Sequence, residues 1–228
     1  MDGGILNKKG KFFITSVGLL VLSIIYTLLV KFVDVKDIGP WNSSVGFSTL
    51  NKAVYQTIGV NMVWYDITKF LGYVSIIIAF VYALLGFKDL IENKSIKKVN
   101  RKIIILGVFY VAVLLTYVFF EKVIINYRPT LIDGELEASF PSSHTLLSLC
   151  ICGSSVILTK YFIKNVDVRK KINFLTYVLM FSILFGRIIS GVHWASDIIG
   201  GVIISGFLLS SFYTALLVDD SMTKKGKR

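Results

Sequence analysis

Long apolar segments alternate with short polar connections along this chain of 228 residues. Each apolar segment approaches the ~20 residues that an α-helix needs to cross ~30 Å of hydrocarbon, the fifth being the shortest. The pattern predicts an all-α fold, a polytopic membrane bundle of six transmembrane helices that forms a single domain over residues 1–228. The six segments are Phe12–Phe32, Ile67–Phe87, Ile103–Phe120, Thr145–Phe162, Asn173–Ile189 and Ile198–Val218.

The composition agrees with a membrane protein and excludes an ordinary soluble domain. Hydrophobic residues make up 54% of the chain and charged residues 17%, and the mean hydropathy is +0.71. The net charge of +11 does not indicate a nucleic-acid partner, because the basic residues lie in short patches between apolar segments. The first segment is too long for the apolar region of a signal peptide and lacks a small-x-small cleavage site, so we interpret it as a retained helix.

The basic residues lie mostly on one side of the predicted bundle. Seventeen of the 25 fall in the N-terminal tail, the second and fourth connections and the C-terminal tail. Because cytoplasmic connections carry an excess of Lys and Arg, both termini are predicted to be cytoplasmic, in a multi-pass protein of the cell membrane. Trp41, Trp64 and Trp194 then lie near the outward ends of the helices, as in an interfacial aromatic belt.

The first outward connection, Val33–Asp66, is long and mostly apolar after Pro40 and Trp41. An apolar stretch of this kind can lie along the membrane surface instead of in water. We therefore expect this connection to contain an interfacial helix.

Polar clusters beside the apolar segments are the most informative places, because charge is costly in a membrane. Three clusters occur on the side predicted to face outward: Glu121–Pro129, Ser139–His144 and Gly186–Asp197. The chain has only two histidines, His144 and His193, and each lies in one of these clusters. This coincidence indicates a functional site on the extracytoplasmic face.

His193 and Asp197 are four residues apart at the start of the sixth segment, so on a helix their side chains share a face. The carboxylate can accept a hydrogen bond from one imidazole nitrogen and leave the other directed at a substrate. The alternative is a structural polar pair at a helix N-terminus. Arg187, six residues before His193, has an equally ordinary alternative as an anchor at a helix end.

The Pro141–His144 stretch precedes the fourth segment, where Pro and Ser favour a helix start. It is either a plain N-cap or a place where backbone N–H groups and hydroxyls bind an anion. Lys122 and Arg128 are either ordinary cations at the membrane boundary or functional ones, since outward cations depart from the positive-inside trend.

Together the clusters hold three cations, a helix start, two histidines and one orienting carboxylate. Three cations suit a phosphoryl group, whose oxygens carry the charge in the transition state. One histidine can attack phosphorus while the other transfers the proton of the leaving group. No Cys, His and carboxylate arrangement resembles a divalent-metal site. The residues therefore predict metal-independent phosphoryl transfer without a cofactor.

These residues resemble the motifs of the type 2 phosphatidic acid phosphatase (PAP2) superfamily of membrane lipid phosphatases, which read K-x6-R-P, P-S-G-H and S-R-x5-H-x3-D. The third motif corresponds to the segment from Gly186 to Asp197 with its spacing intact. The second corresponds to Pro141–His144, and the first to Lys122-x5-Arg128-Pro129. The combination in this order is specific.

The match departs from the family pattern at three positions. Ser143 replaces a glycine, and Gly186 replaces the serine before the arginine. Lys122 is one residue closer to Arg128 than the pattern asks, which on a helix changes the direction of its side chain by about 100°. If Lys122 is not a ligand, we expect Arg128 and Arg187 to bind the phosphate.

The resemblance implies a role for each matched residue. His193 is expected to be the nucleophile that forms a phosphohistidine, with Asp197 fixing its tautomer. His144 is expected to protonate the leaving oxygen and then to activate the water that hydrolyses the intermediate. The residues expected to bind the phosphate oxygens are Lys122, Arg128, Ser142, Ser143 and Arg187.

A site at the outward membrane surface suits a substrate that arrives from the bilayer, with its phosphate at the interface and its tail in lipid. The resemblance points to a lipid phosphate, and we expect undecaprenyl diphosphate, since richness in Ile, Lys and Asn indicates a low-GC bacterium. Phosphatidic acid and phosphatidylglycerol phosphate stay open as substrates, because the motifs contact phosphate and not the tail. A phosphotransferase or an anion transporter also stays open. The sequence predicts no oligomeric state.

Overall fold

The computed structural model describes the backbone of residues 2–225 and the side chains of residues 8–223, so Lys227 and Arg228 of the basic tail lie outside the described residues. Six helices in the described range are long and apolar enough to cross a membrane, which confirms the predicted bundle. The helices are α1 (Asp2–Phe32), α2 (Ser48–Ile58), α3 (Met62–Asn93), α4 (Arg101–Lys122), α5 (Ser143–Phe162), α6 (Val166–Ser190) and α7 (Ala195–Lys225).

Capping residues extend two of these helices beyond their apolar segments. Asn61 begins α3 by accepting a hydrogen bond from the backbone N–H of Trp64, so the helix starts five residues before Ile67. Asn165 begins α6 with a side chain that accepts bonds from the first N–H groups of the helix. An Asn at this position satisfies donors that have no partner inside the helix. The turn added to α3 contains Tyr65, which lies beside Arg187.

The connection between α1 and α3 contains the helix that its apolar composition predicts. A hairpin of β1 (Lys36–Asp37) and β2 (Ser44–Val45) comes first, and α2 follows it. Asn51 of α2 is completely buried and exchanges hydrogen bonds with Ser196 at the start of α7. These bonds fix the connection against one end of the bundle, and its position at the membrane surface stays a prediction.

The interior of the bundle is formed chiefly by α5 and α7. Leu146, Cys150 and Leu158 of α5 and Leu216 of α7 are completely buried. By contrast, α1, α3, α4 and α6 expose many large apolar side chains, as expected for surfaces in contact with lipid.

Two connections determine which polar side chains meet at the end of the bundle where α5 and α7 begin. The α4–α5 connection folds back on itself, with Tyr127 bridged to Ala138. The α6–α7 connection, Gly191–Trp194, is only four residues long. Its glycine has a φ of 62°, and a Cβ there would lie 1.8 Å from the carbonyl oxygen of Gly59. Only glycine fits this close approach.

Candidate active site

The polar clusters gather at one end of the bundle. Arg187 lies in the last turn of α6, and Asp197 lies in the first turn of α7. Ser142 precedes α5, and its backbone N–H donates to the carbonyl oxygen of Asp197 at 3.0 Å. This bond joins the starts of α5 and α7, so the second and third sequence clusters form one site.

The imidazole of His193 lies at the centre of this site and is 5% exposed. Its Nε2 atom lies 2.8 Å from Nη2 of Arg187 and 3.2 Å from Nη1 of Arg128. Its Nδ1 atom lies 3.0 Å from Oγ of Ser139, which is itself 2.5 Å from Oδ2 of Asp197. The imidazole is thus held between two guanidinium groups on one side and a hydroxyl–carboxylate pair on the other.

These partners determine the tautomer of His193. A guanidinium has only donors, so Nε2 must be the ring nitrogen that accepts and carries no proton. The Ser139 hydroxyl donates to Asp197, so its oxygen accepts from the Nδ1–H of the ring. His193 therefore has a lone pair on Nε2, which is the form that a nucleophile needs.

The spacing of four residues predicts a direct hydrogen bond between Asp197 and the His193 ring, and this prediction is wrong. Ser139 stands between them and bonds both. The helical argument fails because α7 begins at Ala195, so His193 precedes the helix and does not share a helix face with Asp197. The carboxylate can orient the ring only through the serine.

Asp197 is completely buried and held by several donors. The backbone N–H of Trp194 donates to it at 3.0 Å, and the side-chain amide of Asn126 donates at 3.2 Å. Asn126 is held in turn by the backbone N–H of Gly46, which donates to its amide oxygen at 3.0 Å. Bonds of this kind stabilise the ionised carboxylate.

Both arginines are buried: Arg187 is completely buried, and Arg128 is 7% exposed. Arg187 donates to Oγ1 of Thr68 at 3.2 Å, and its guanidinium lies over the Tyr65 ring, 5.3 Å from the ring centre. Nε of Arg128 lies 2.9 Å from a carboxylate oxygen of Glu137. Among the described side chains Arg187 forms no ion pair. A buried cation without a counter-charge is costly and is typical of an anion site.

His144 lies in the first turn of α5 and is half-buried. Its Nδ1 atom makes no hydrogen bond with the residues that the structure describes. Gly72 of α3 lies against the ring, and a Cβ there would be 3.1 Å from Cδ2 of His144. The missing side chain at this position leaves room for the imidazole between α3 and α5.

Two cavities adjoin at the histidines. The inner cavity is lined by His193, Tyr117 and Ser143, among others. The outer cavity, of about 270 Å³, lies between α3 and α5 and is lined by His144, Lys69, Tyr117 and Ser143, among others. Tyr117 and Ser143 line both cavities, so the two cavities are neighbours, and each is lined by one of the two histidines.

Lys122 lies apart from this arrangement. It is the last residue of α4, its side chain is exposed, and it lines neither cavity. Glu121, seven residues before Arg128, lines the inner cavity instead, since one step along a helix turns the side chain by about 100°. The contacts give Lys122 no support as a phosphate ligand, and an acidic residue occupies the position where the family motif has its lysine.

The motifs do not predict the contribution of α3, which brings Tyr65, Thr68 and Lys69 to the site. They also give no role to Ser139 or Asn126, although both lie in the polar clusters. One signal for α3 was available in the sequence. Lys69 lies inside a predicted transmembrane segment. A charged side chain is costly there, so its presence indicates a functional role.

The protonation state of His193 is set by its surroundings. Burial, Arg128 and Arg187 hold its pKa well below the usual range, because each disfavours the charged ring. We expect ¹⁵N NMR of histidine-labelled protein in micelles to show His193 neutral, with its proton on Nδ1, from about pH 8 down to about pH 6.

Only His144 and His193 contribute signals, so a His144→Gln variant assigns them. An Nε2–H tautomer, or a protonation midpoint for His193 at or above about 6.5, contradicts the arrangement described here.

The fold and the site define a polytopic membrane protein with a cluster of histidines and buried arginines at one end of a helical bundle. The sequence model of the PAP2 superfamily matches residues 72–218, and the chain belongs to that superfamily. The matched region contains all of the motif residues from Lys122 to Asp197 and begins just after Lys69.

Two known proteins are similar to this chain. Lipid phosphate phosphatase delta of Arabidopsis thaliana is 31% identical over 96 residues, which are 41% of this chain and only 23% of that protein. The crystal structure of a transmembrane PAP2 type phosphatidylglycerolphosphate phosphatase from Bacillus subtilis has a TM-score of 0.61 at 15% identity. It covers 87% of this chain and 94% of its own, so the two share a fold over nearly their whole length.

Proposed function

We propose that this protein hydrolyses a lipid phosphate or diphosphate through a phosphohistidine formed on His193. The observation that carries the proposal is the Nε2 lone pair of His193 beside two buried guanidinium groups. When a phosphoryl group binds, its oxygens take over the guanidinium N–H groups of Arg128 and Arg187 that otherwise donate to Nε2. The lone pair is then left facing phosphorus, and the phosphoryl group supplies the negative charge that the cations need. The similar proteins, a lipid phosphate phosphatase and a phosphatidylglycerolphosphate phosphatase, support this reaction class.

In the first step the Nε2 lone pair of His193 forms a bond to phosphorus. The bond from phosphorus to the leaving oxygen breaks, and its electron pair goes to that oxygen, which takes a proton from His144. The positive charge that develops on the His193 ring is stabilised through the Nδ1–H, by Ser139 and Asp197. The products are a lipid alcohol, or a lipid monophosphate, and the phosphohistidine.

In the second step water attacks phosphorus and gives a proton to His144, which now acts as a base. The nitrogen–phosphorus bond breaks, its electron pair returns to Nε2, and inorganic phosphate leaves. No metal ion is required in either step, because Arg128 and Arg187 stabilise the oxygens throughout.

The start of α5 supplies the remaining phosphate contacts in this proposal. Ser142 is completely buried, and its hydroxyl accepts a hydrogen bond from Thr145 at 3.1 Å. Ser143 lines both cavities, so its hydroxyl and the first N–H groups of α5 are the donors best placed for a phosphate oxygen.

We place this site on the extracytoplasmic side of the cell membrane. The site lies where α4 and α6 end and where α5 and α7 begin. The basic connections lie at the opposite ends of the same helices, before α4 and before α6. Positive connections are retained in the cytoplasm, so the site faces outward.

The substrate that we propose first is undecaprenyl diphosphate, and phosphatidylglycerol phosphate is the second candidate. The first rests on the outward site and on the composition of the chain. The second is supported by the substrate for which the similar Bacillus subtilis protein is named.

Phosphate release from detergent-purified protein tests the proposal, with EDTA present and undecaprenyl diphosphate, phosphatidylglycerol phosphate and phosphatidic acid as substrates. We expect release to continue in EDTA and one lipid to be preferred. Loss of activity in EDTA that returns on adding a divalent metal contradicts the metal-independent mechanism. Transfer of phosphate to an added acceptor lipid in place of water identifies a phosphotransferase. Oxyanion exchange in liposomes without hydrolysis identifies a transporter.

A further inference from the structure

Lys69 is a cation inside a transmembrane helix and beside the site. It lies in the second turn of α3, roughly 10 Å from the start of the helix. Its side chain is half-buried and lines the outer cavity together with His144. No ion pair joins it to a carboxylate among the described side chains. A lysine inside a transmembrane helix that has no carboxylate partner is expected to bind an anion.

Its neighbours connect Lys69 to the arginine site. The ammonium of Lys69 lies 5.3 Å from the centre of the Tyr65 ring, and the guanidinium of Arg187 lies at the same distance from that ring. Gly72, one helical turn after Lys69, lies against the His144 ring. Lys69 is therefore on the face of α3 that is directed at His144. An anion bound beside Tyr65 reduces the electrostatic repulsion between Lys69 and Arg187.

The inner and outer cavities differ in their charged groups. Glu121 lines the inner cavity and adds a negative charge, while Arg128 and Arg187 bond the Nε2 atom of His193 and line neither cavity. The cation of the outer cavity is Lys69, on the side of His144. His144 is the group that protonates the leaving oxygen, so Lys69 lies on the side from which the leaving group departs.

We infer that Lys69 binds the leaving phosphate of a lipid diphosphate and thereby gives the protein a preference for diphosphates over monophosphates. This inference rests on the proposed function. His193 attacks the terminal phosphorus, and the bond from that phosphorus to the bridging oxygen breaks. The electron pair goes to the bridging oxygen, which takes a proton from His144. The lipid monophosphate then leaves with its charge bound by Lys69, whereas a monophosphate substrate has no second phosphate at this position.

Farnesyl diphosphate and farnesyl monophosphate test the inference, because they share one tail and differ by one phosphate. The initial rate of phosphate release, measured at substrate concentrations well below KM, gives kcat/KM for each substrate. We expect Lys69→Met to lower kcat/KM for the diphosphate by roughly 10- to 100-fold, the range for a lost hydrogen bond to a charged group. The loss for the monophosphate is expected to be at least about tenfold smaller, so the preference for the diphosphate falls.

Two further variants make the result specific. Lys69→Arg keeps the charge and is expected to keep the preference. Lys52→Met removes a lysine from an exposed position on α2 by the same substitution, and no change is expected. Equal losses on both substrates mean that Lys69 acts on the transferred phosphoryl group, and no loss on either means that it is a membrane-boundary cation. Both outcomes overturn the inference, whereas an inactive wild-type protein overturns the proposed function.

Discussion

Replacing His193 by alanine is expected to lower phosphate release by at least about 10⁴-fold, because the substitution removes the nucleophile. The measurement is the initial rate of phosphate release by the purified variant and by the wild-type protein in the same detergent. Equal elution in size-exclusion chromatography and a similar Tm show that the variant is folded. A variant with near-normal turnover excludes His193 as the nucleophile.

The same variant also tests the covalent intermediate. Protein incubated with a substrate labelled in its terminal phosphate and quenched in alkali, where a phosphohistidine survives, is expected to carry the label. His193→Ala is expected to carry none. His144→Ala retains the nucleophile, and is expected to acquire the label slowly and to lose it slowly. Label on the His193→Ala protein places the phosphate on another residue.

Replacing Asp197 by asparagine is expected to lower kcat by about 10³- to 10⁴-fold, although the two side chains have nearly the same shape. The amide keeps one acceptor oxygen where the carboxylate has two, and the oxygen that accepts from Ser139 also accepts from the backbone N–H of Trp194. In the orientation that turns the amide nitrogen to Ser139, the nitrogen donates to the serine oxygen, and the serine hydroxyl turns to donate to Nδ1 of His193. The ring proton then moves to Nε2, where it opposes Arg128 and Arg187 and removes the nucleophilic lone pair.

Two measurements separate this effect from general damage. The ¹⁵N signals of His193 are expected to show the Nε2–H tautomer in the Asp197→Asn protein, and Ser139→Ala is expected to lower kcat in the same direction by removing the connecting hydroxyl. An Asp197→Asn protein with a normal rate shows that the carboxylate does not control the tautomer. A low rate with an unchanged Nδ1–H tautomer assigns Asp197 a structural role only.

The membrane fold follows from properties that are local in the sequence. A helix that crosses hydrocarbon must be long, apolar and internally hydrogen-bonded, and each of the six apolar segments meets this requirement by itself. The first residues of the helices were less predictable from the sequence, because a capping residue such as Asn61 or Asn165 adds turns that hydropathy does not record. The helix within the connection after α1 was predictable from its apolar character, but its anchoring through Asn51 was not.

The motif residues were also predictable, since intramembrane charge is rare and both histidines lie in polar clusters. The structure brings His193, Arg187, Arg128 and Asp197 into one hydrogen-bonded group. What spacing alone could not establish was the contact order within that group. His193 and Asp197 are four residues apart, yet the helix begins between them and Ser139, far away in sequence, provides the link.

By itself the sequence determined that this is a six-helix membrane protein with a histidine and arginine site at one end, because helix length and charge cost are properties of single segments. Only the tertiary structure decided that Glu121 and not Lys122 lines the inner cavity, and that Lys69 joins the site from a helix outside the motifs. Those assignments depend on how separate helices are rotated and packed against one another. Packing is set by contacts between residues distant in sequence, so no spacing within one segment records it.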